Sequence, residues 1–200
     1  MPTYEARRQP HVLPEEFDRL ADYAAREVEG LRLELIGGSP VFKPRPDGRH
    51  TTVTAWLARQ CMERRPEWGL HVGLGLRVGA ARDGRAVPDA TLLPVGRLPG
   101  SGQWADPEGV LMTAEVTRGD WASSWRNRVE KPRAYAEAGI PVYLLVDLDT
   151  CRFTVHSRLE QGTYALRLAV PFGQPLPLPD PVGMELDTQQ LLSWSTGNEG

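Results

Sequence analysis

Val110-Leu111-Met112-Thr113-Ala114-Glu115-Val116-Thr117 is the stretch on which the reading of this chain turns. Its apolar and β-branched composition marks a buried strand. Alternation puts Val110, Met112, Ala114 and Val116 on one face and Leu111, Thr113 and Glu115 on the other. An acid within such a strand is costly unless it is paired or binds a metal. Glu115 is therefore the first candidate for chemistry.

Working outward, Arg85 to Leu93 reads as a strand interrupted by Pro88, which suits an edge or a bulge. Asp89 follows that proline, so the two carboxylates converge at one sheet edge if the strands are neighbours. Downstream, Trp121 to Ala138 reads as a helix with a defect at Pro132, closed by Gly139 and Pro141. Val142-Tyr-Leu-Leu-Val-Asp147 is a strongly apolar strand. Arg152 to Ser157 and Thr163 to Val170 form a further strand pair around Gln161-Gly162.

Upstream, Pro14 can start a helix because its missing N–H is not needed there, and Phe17, Leu20, Ala21 and Ala24 extend it to about Val28. Leu31 to Ile36 alternates as a strand, Gly37-Gly38 supplies a hairpin turn, and Ser39 to Lys43 returns. Val53, Trp56, Leu57 and Cys61 make an apolar helical stripe ended by Pro66. Leu70, Val72, Leu74, Leu76 and Val78 alternate with small or polar residues as one strand. Gly96 to Gly109 reads as a surface loop, Pro171 to Pro181 as a surface wrap, and Asp187 to Trp194 as a short helix. The expectation is one mixed α/β (α+β) domain over 11–194, with flexible ends at 1–10 and 195–200.

Two hundred residues, 40% hydrophobic and 24% charged, suit one soluble domain. No apolar run approaches the ~18–20 residues of a membrane span, and no signal core is present. Two cysteines offer neither a disulfide framework nor a zinc spacing, so a cytoplasmic setting is expected. The net charge of −3 argues against non-specific coating of nucleic acid. A local basic patch remains: Arg118, Arg126, Arg128, Lys131 and Arg133 against Asp120 and Glu130. It fits a phosphate grip or a solvated helix face.

Lysine usage adds a second signal. Only Lys43 and Lys131 occur among 23 Lys and Arg residues. A lysine kept in an arginine-rich chain offers a compact amine that arginine cannot replace, although a GC-rich genome produces the same bias. Asn127, Lys131 and Tyr135 fall at i, i+4 and i+8, a stripe able to face the acids. Two carboxylates with backbone oxygen and waters suit Mg²⁺, or Mn²⁺ in its place.

Arg32-Leu-Glu34-Leu-Ile-Gly-Gly38, His50, Val87-Pro-Asp89, Ala114-Glu115-Val116, Lys131 with Tyr135, Ala138-Gly-Ile-Pro141 and Tyr143-Leu-Leu-Val-Asp147 occur in one order. This ordered set resembles the Uma-two family of the PD-(D/E)XK nuclease superfamily, over roughly Leu13 to Leu192. The resemblance implies a restriction-endonuclease-like core, a mixed sheet flanked by helices, with a metal held by Asp89 and Glu115. It also implies that Lys131, displaced from the strand to the next helix, serves as the catalytic amine, with Glu34 as an upstream acid. DNA is the implied partner, and a homodimer is left open. The chain departs from the family pattern at Thr117-Arg-Gly-Asp120, at Asn127, where the family often has aspartate, and at Pro132, which disfavours helical geometry at Lys131.

Plainer readings stand beside these. Asp89 after proline suits a turn. Glu34 can pair with Arg32 across strands. His50 can cap its helix or bind phosphate, and Tyr135 can simply pack. Trp104, Trp121 and Trp125 fit base stacking or, more readily, anchoring. His11, His71 and His156 have no ligand spacing. Two rival functions follow: a nuclease-like nucleic-acid-binding module without turnover, and a protein-interaction scaffold whose acids form structural pairs.

Overall fold

The structure, a computed structural model, describes residues 12–97, 102–119 and 125–195. The expected flexible segment 1–10, His11 and Trp121 lie outside the described residues, as do 196–200 of the expected flexible C-terminus. Ser195 ends the last helix.

A six-stranded sheet in the order β10-β9-β8-β7-β6-β3 forms the centre of the molecule. Its strands are β3 (Trp68–His71), β6 (Ala90–Pro94), β7 (Met112–Thr117), β8 (Val142–Asp147), β9 (Arg152–Glu160) and β10 (Thr163–Pro171). Only β7 and β8 run parallel; the other neighbours are antiparallel. A second sheet, β2-β1-β5-β4, comprises β1 (Arg32–Ile36), β2 (Ser39–Lys43), β4 (Leu76–Val78) and β5 (Gly84–Ala86). The mixed α+β class with helices on a mixed sheet is therefore the fold.

One face of the central sheet packs on α2 (Gly48–Arg64). Val53, Trp56, Leu57 and Cys61 of that helix interleave with Met112, Ala114, Val116, Leu144 and Phe153. Burial pushes the Cys61 thiol up to about 12, so this cysteine is an inert packing residue. The opposite face meets the small sheet and α3 (Lys131–Glu137), through Ile36, Leu76, Val78, Tyr135, Tyr143 and Leu145. The first helix, α1 (Pro14–Glu27), closes over β1 with Phe17 and Ala21. Among the described residues, no helix is long and apolar enough to cross a membrane.

Four local readings change. The alternation from Leu70 to Val78 is not one strand: β3 and β4 belong to different sheets, and the chain turns between them. Gly73 has φ +70°, and a Cβ on Gly75 would stand 2.3 Å from the Gln103 carbonyl oxygen, so glycine permits the turn and the close approach. Arg85 to Leu93 is likewise divided. β5 ends at Ala86 and β6 begins at Ala90, so Val87-Pro88-Asp89 is the crossing between two sheets rather than an edge or bulge. The proline-rich run does more than wrap the surface: β11 (Leu176–Leu178) pairs with β12 (Met184–Leu186), and Leu176, Leu178 and Val182 enter the core.

The fourth concerns Pro132. Lys131 is helical, with φ −65° and ψ −45°. Residues Arg126–Glu130 form a π-helical turn, and the Lys131 N–H donates to the Arg126 carbonyl, five residues back. Proline cannot donate to the carbonyl four residues before it and would clash with it. The wider turn removes that conflict, so the helix enters the site without breaking. The final helix, α4, spans Gln189–Ser195.

Candidate active site

Five ionisable side chains from five elements meet between the sheets. Glu34 sits mid-strand in β1, Lys43 ends β2, Asp89 occupies the sheet crossing, Glu115 lies in β7 and Lys131 opens α3. The hairpin turn at Gly37-Gly38, with φ of +58° and +78°, sets Glu34 and Lys43 on adjacent strands.

Their order in space alternates in sign. Lys131 Nζ stands 2.9 Å from Glu34 Oε1 and 2.8 Å from Glu115 Oε1. Lys43 Nζ stands 3.0 Å from Glu115 Oε2 and 2.6 Å from Asp89 Oδ1. His50 Nε2 then lies 2.8 Å from Asp89 Oδ2. Glu115 is the hub, fully buried, with one oxygen facing each ammonium. The Tyr135 hydroxyl, one helical turn beyond Lys131, donates to Glu115 Oε1 at 2.7 Å.

Backbone amides fix the other two acids. The Val87 N–H donates to Glu34 Oε1 at 2.8 Å, and the Val116 N–H donates to Asp89 Oδ2 at 2.7 Å. Asp89 is thus tied to the strand that carries Glu115. His50 sits in the first turn of α2, where its N–H donates to the N-cap Asp47 side chain at 2.8 Å. The cap belongs to Asp47, leaving the His50 ring free to reach Asp89.

The electrostatics follow from this geometry. Burial raises the Asp89 carboxyl, but Lys43, His50 and Lys131 outweigh it and hold the group far below the usual range. Glu34 is also lowered: burial opposes ionisation, and Lys131 and Lys43 overcome it. Glu115 goes the other way. Burial raises it, Lys131 and Lys43 pull it down, and the neighbouring Asp89 and Glu34 charges tip the balance upward. Burial alone would lower Lys43, yet Glu115, Asp89 and Glu34 raise it, so its amine stays protonated.

A cleft of about 170 Å³ opens over these groups. Arg45, Arg118, Arg126 and Asn127 line it together with the acids and both lysines. Arg118 Nη1 lies 2.9 Å from Asp47 Oδ2 at the rim. Of the expected phosphate-gripping residues, Arg118 and Arg126 border the cleft. Arg128 pairs with Asp147, and Arg133 with Glu137 at 2.8 Å on an exposed helix face.

Each of Asp89, Glu115, Lys131 and Glu34 is therefore in one cluster, with His50 and Tyr135 in contact with it. Asn127 is buried at the cleft wall, and its backbone carbonyl accepts the Tyr143 hydroxyl at 2.6 Å. Glu34 pairs with Lys131, not with Arg32. Trp104 tilts on Phe17 at 6.0 Å between ring centroids, which is anchoring; Trp125 is half-exposed. The residue missed from the sequence is Lys43. Its signal was present, because lysine scarcity singles out Lys43 as much as Lys131, but nothing in the sequence placed the hairpin against Asp89.

Among the described residues, no group of three or more acidic, histidine or cysteine side chains stands ready around a metal ion. The donor chemistry nevertheless fits one. Asp89 Oδ1 and Glu115 Oε2 face a single cation, and the cation between them is the Lys43 ammonium. Hard carboxylate oxygens on a cleft wall suit Mg²⁺ or Mn²⁺.

The fold is that of a nuclease-like protein. The Uma2 family model, described as "Putative restriction endonuclease", matches residues 14–189, and the chain belongs to that family. A solved structure titled as a putative nuclease belonging to DUF820, from Anabaena variabilis ATCC 29413, superposes with a TM-score of 0.64. It is 19% identical, over 92% of this chain and 99% of that one. A search of curated proteins gave no match.

Proposed function

We propose that the protein is a Mg²⁺-dependent endonuclease that hydrolyses DNA phosphodiester bonds. The observation that carries this reading is the pair Asp89 Oδ1 and Glu115 Oε2 sharing one cation position on the wall of an open cleft. Purely structural ion pairs gain little from being buried, because desolvation offsets the attraction. Five ionisable groups gathered beneath a cleft point to a task instead.

Asp89 and Glu115 would hold the ion. When bound, it neutralises charge on a phosphoryl oxygen and makes its water more acidic. Glu34 holds Lys131 against Glu115, and Tyr135 fixes the same Glu115 oxygen. Lys131 thus keeps its amine aimed at the site, where it can orient an attacking water. Arg118 and Arg126 on the cleft wall can position backbone phosphates without reading sequence.

The test is incubation of purified protein with plasmid and linear DNA in Mg²⁺ or Mn²⁺, beside Glu115→Ala. Cleavage that needs the metal and is lost in the variant supports the reading. Intact DNA throughout, or equal cutting by Glu115→Ala, overturns it.

A second reading, nucleic-acid binding without turnover, is favoured by one observation: an ammonium already occupies the shared position. It predicts salt-sensitive DNA binding with no metal-dependent cleavage. The scaffold reading predicts neither binding nor metal affinity.

A further inference from the structure

The two lysines are not equivalent, and the difference lies in what each ammonium touches. Lys131 bridges Glu34 and Glu115 Oε1, is 2% exposed, and comes from a helix packed into the core. Lys43 bridges the outer pair, Asp89 Oδ1 and Glu115 Oε2. It is the last residue of β2, whose residues alternate between half-buried and exposed, and it leads into the cleft-lining segment Pro44-Arg45-Pro46-Asp47.

Geometry makes this position exclusive. The ammonium holds its two carboxylate oxygens at 2.6 and 3.0 Å. A Mg²⁺ ion draws oxygen ligands to roughly 2.0–2.1 Å and keeps a shell of waters. An ammonium and such an ion cannot sit between the same two oxygens. Both lysines border the cleft, but Lys43 ends its strand there with a side chain 9% exposed, whereas Lys131, at 3%, is carried by a helix packed into the core.

We infer that Lys43 is the resident cation of the Asp89–Glu115 position, and that a divalent metal binds by displacing its ammonium into the cleft. This rests on the metal-site part of the proposed function but not on turnover. The exchange is cation for cation: Lys43 leaves as an ammonium, and no covalent bond is made or broken. Divalent affinity is then set partly by a side chain that is not a ligand. Lys131 remains in place as a positioning residue.

The chain offers a direct probe, since it has only two lysines. Protein labelled with ¹³C at lysine gives two sets of side-chain signals, assignable through the backbone without any substitution. On titration with Mg²⁺, the Lys43 ε-methylene signal is expected to move and sharpen toward that of a solvated lysine, while Lys131 moves little. In parallel, calorimetry with Mn²⁺ is expected to show Lys43→Met binding at least tenfold more tightly than wild type, and Arg133→Met, on the exposed helix face away from the cleft, differing by less than threefold.

If Mg²⁺ binds while the Lys43 signal stays fixed, or if Lys43→Met binds Mn²⁺ no more tightly, the exchange is wrong although the metal site stands. If neither protein binds a divalent ion, the metal site and the exchange fall together. If the exchange occurs in protein that never cuts DNA, the inference holds and the endonuclease reading fails.

Discussion

Lys131 Nζ lies 2.8 Å from Glu115 Oε1, joining the first residue of a helix to the middle of a buried strand sixteen residues earlier. The same ammonium reaches Glu34 on a separate sheet, so one side chain ties three layers of the molecule together.

Removing that tie should be costly. Lys131→Met leaves Glu34 and Glu115 buried with fewer counter-charges, and breaking a buried pair from one side typically costs about 3–5 kcal/mol. Chemical denaturation should show a loss of that order, with far-ultraviolet circular dichroism retained at low denaturant. Lys131→Arg should recover little, because a planar guanidinium does not fit the place of a compact amine. Stability close to wild type in Lys131→Met would mean that the bridge carries no net weight.

Glu115 and Asp89 should respond oppositely to neutralisation. The raised Glu115 carboxyl means its ionised form is worse off folded than unfolded, whereas the lowered Asp89 carboxyl means the reverse. Glu115→Gln is expected to stabilise by about 0.5–2 kcal/mol while abolishing metal-dependent cleavage, the usual exchange of activity for stability at a site. Asp89→Asn is expected to destabilise. Thermal melts of both variants check the sign, and a lower melting temperature for Glu115→Gln contradicts it.

The pH profile carries the same information. Asp89 and Glu34 are lowered from 3.8 and 4.5, so their stabilisation is present above those values and is lost as pH falls below them. Lys43 is raised from 10.5, so its contribution is complete below that value and fades above it. The stability gap between wild type and Asp89→Asn should therefore be full at about pH 6 and shrink toward about pH 3. Urea melts at both values decide the matter; a constant gap rules the account out.

Binding to DNA should depend on salt through the cleft arginines. Arg118→Ala is expected to weaken binding of unrelated duplexes by similar factors and to lower the salt slope by about 0.9 for one lost phosphate contact. Fluorescence anisotropy in Ca²⁺ at several salt concentrations measures it. Arg133→Ala, on the exposed face with Glu137, serves as the comparison and should leave the slope unchanged.

Much of this was legible in the residues themselves. The buried strand around Glu115, the Gly37-Gly38 hairpin, the stripe Val53-Trp56-Leu57-Cys61 and the apolar strand Val142 to Asp147 follow from local pattern and turn chemistry. Glu115 and Lys131 stood out as well, as a charge in a buried strand and a rare lysine, whereas Asp89 and Glu34 gained a role only through the ordered family resemblance. The split of Leu70 to Val78 was not legible, since alternation continues unbroken across a turn made possible by Gly73 and Gly75. Nor was the π-turn, which answers a conflict between Pro132 and the carbonyl four residues before it.

What the sequence determined by itself is a set of candidates, Glu34, Asp89, Glu115 and Lys131 with His50 and Tyr135 beside them; it left out Lys43 and put Asp89 on a strand rather than on the crossing between sheets. Which ammonium meets which carboxylate was decided only by the tertiary structure. Pairing of Lys43 with Asp89 and Glu115 requires the small sheet to pack against the large one, and Val87-Pro88-Asp89 to cross between them. Contacts 46 or 72 residues apart in the chain arise from burial of Ile36, Leu76 and Val78 against Tyr143 and Leu145, a non-directional force that no local pattern encodes.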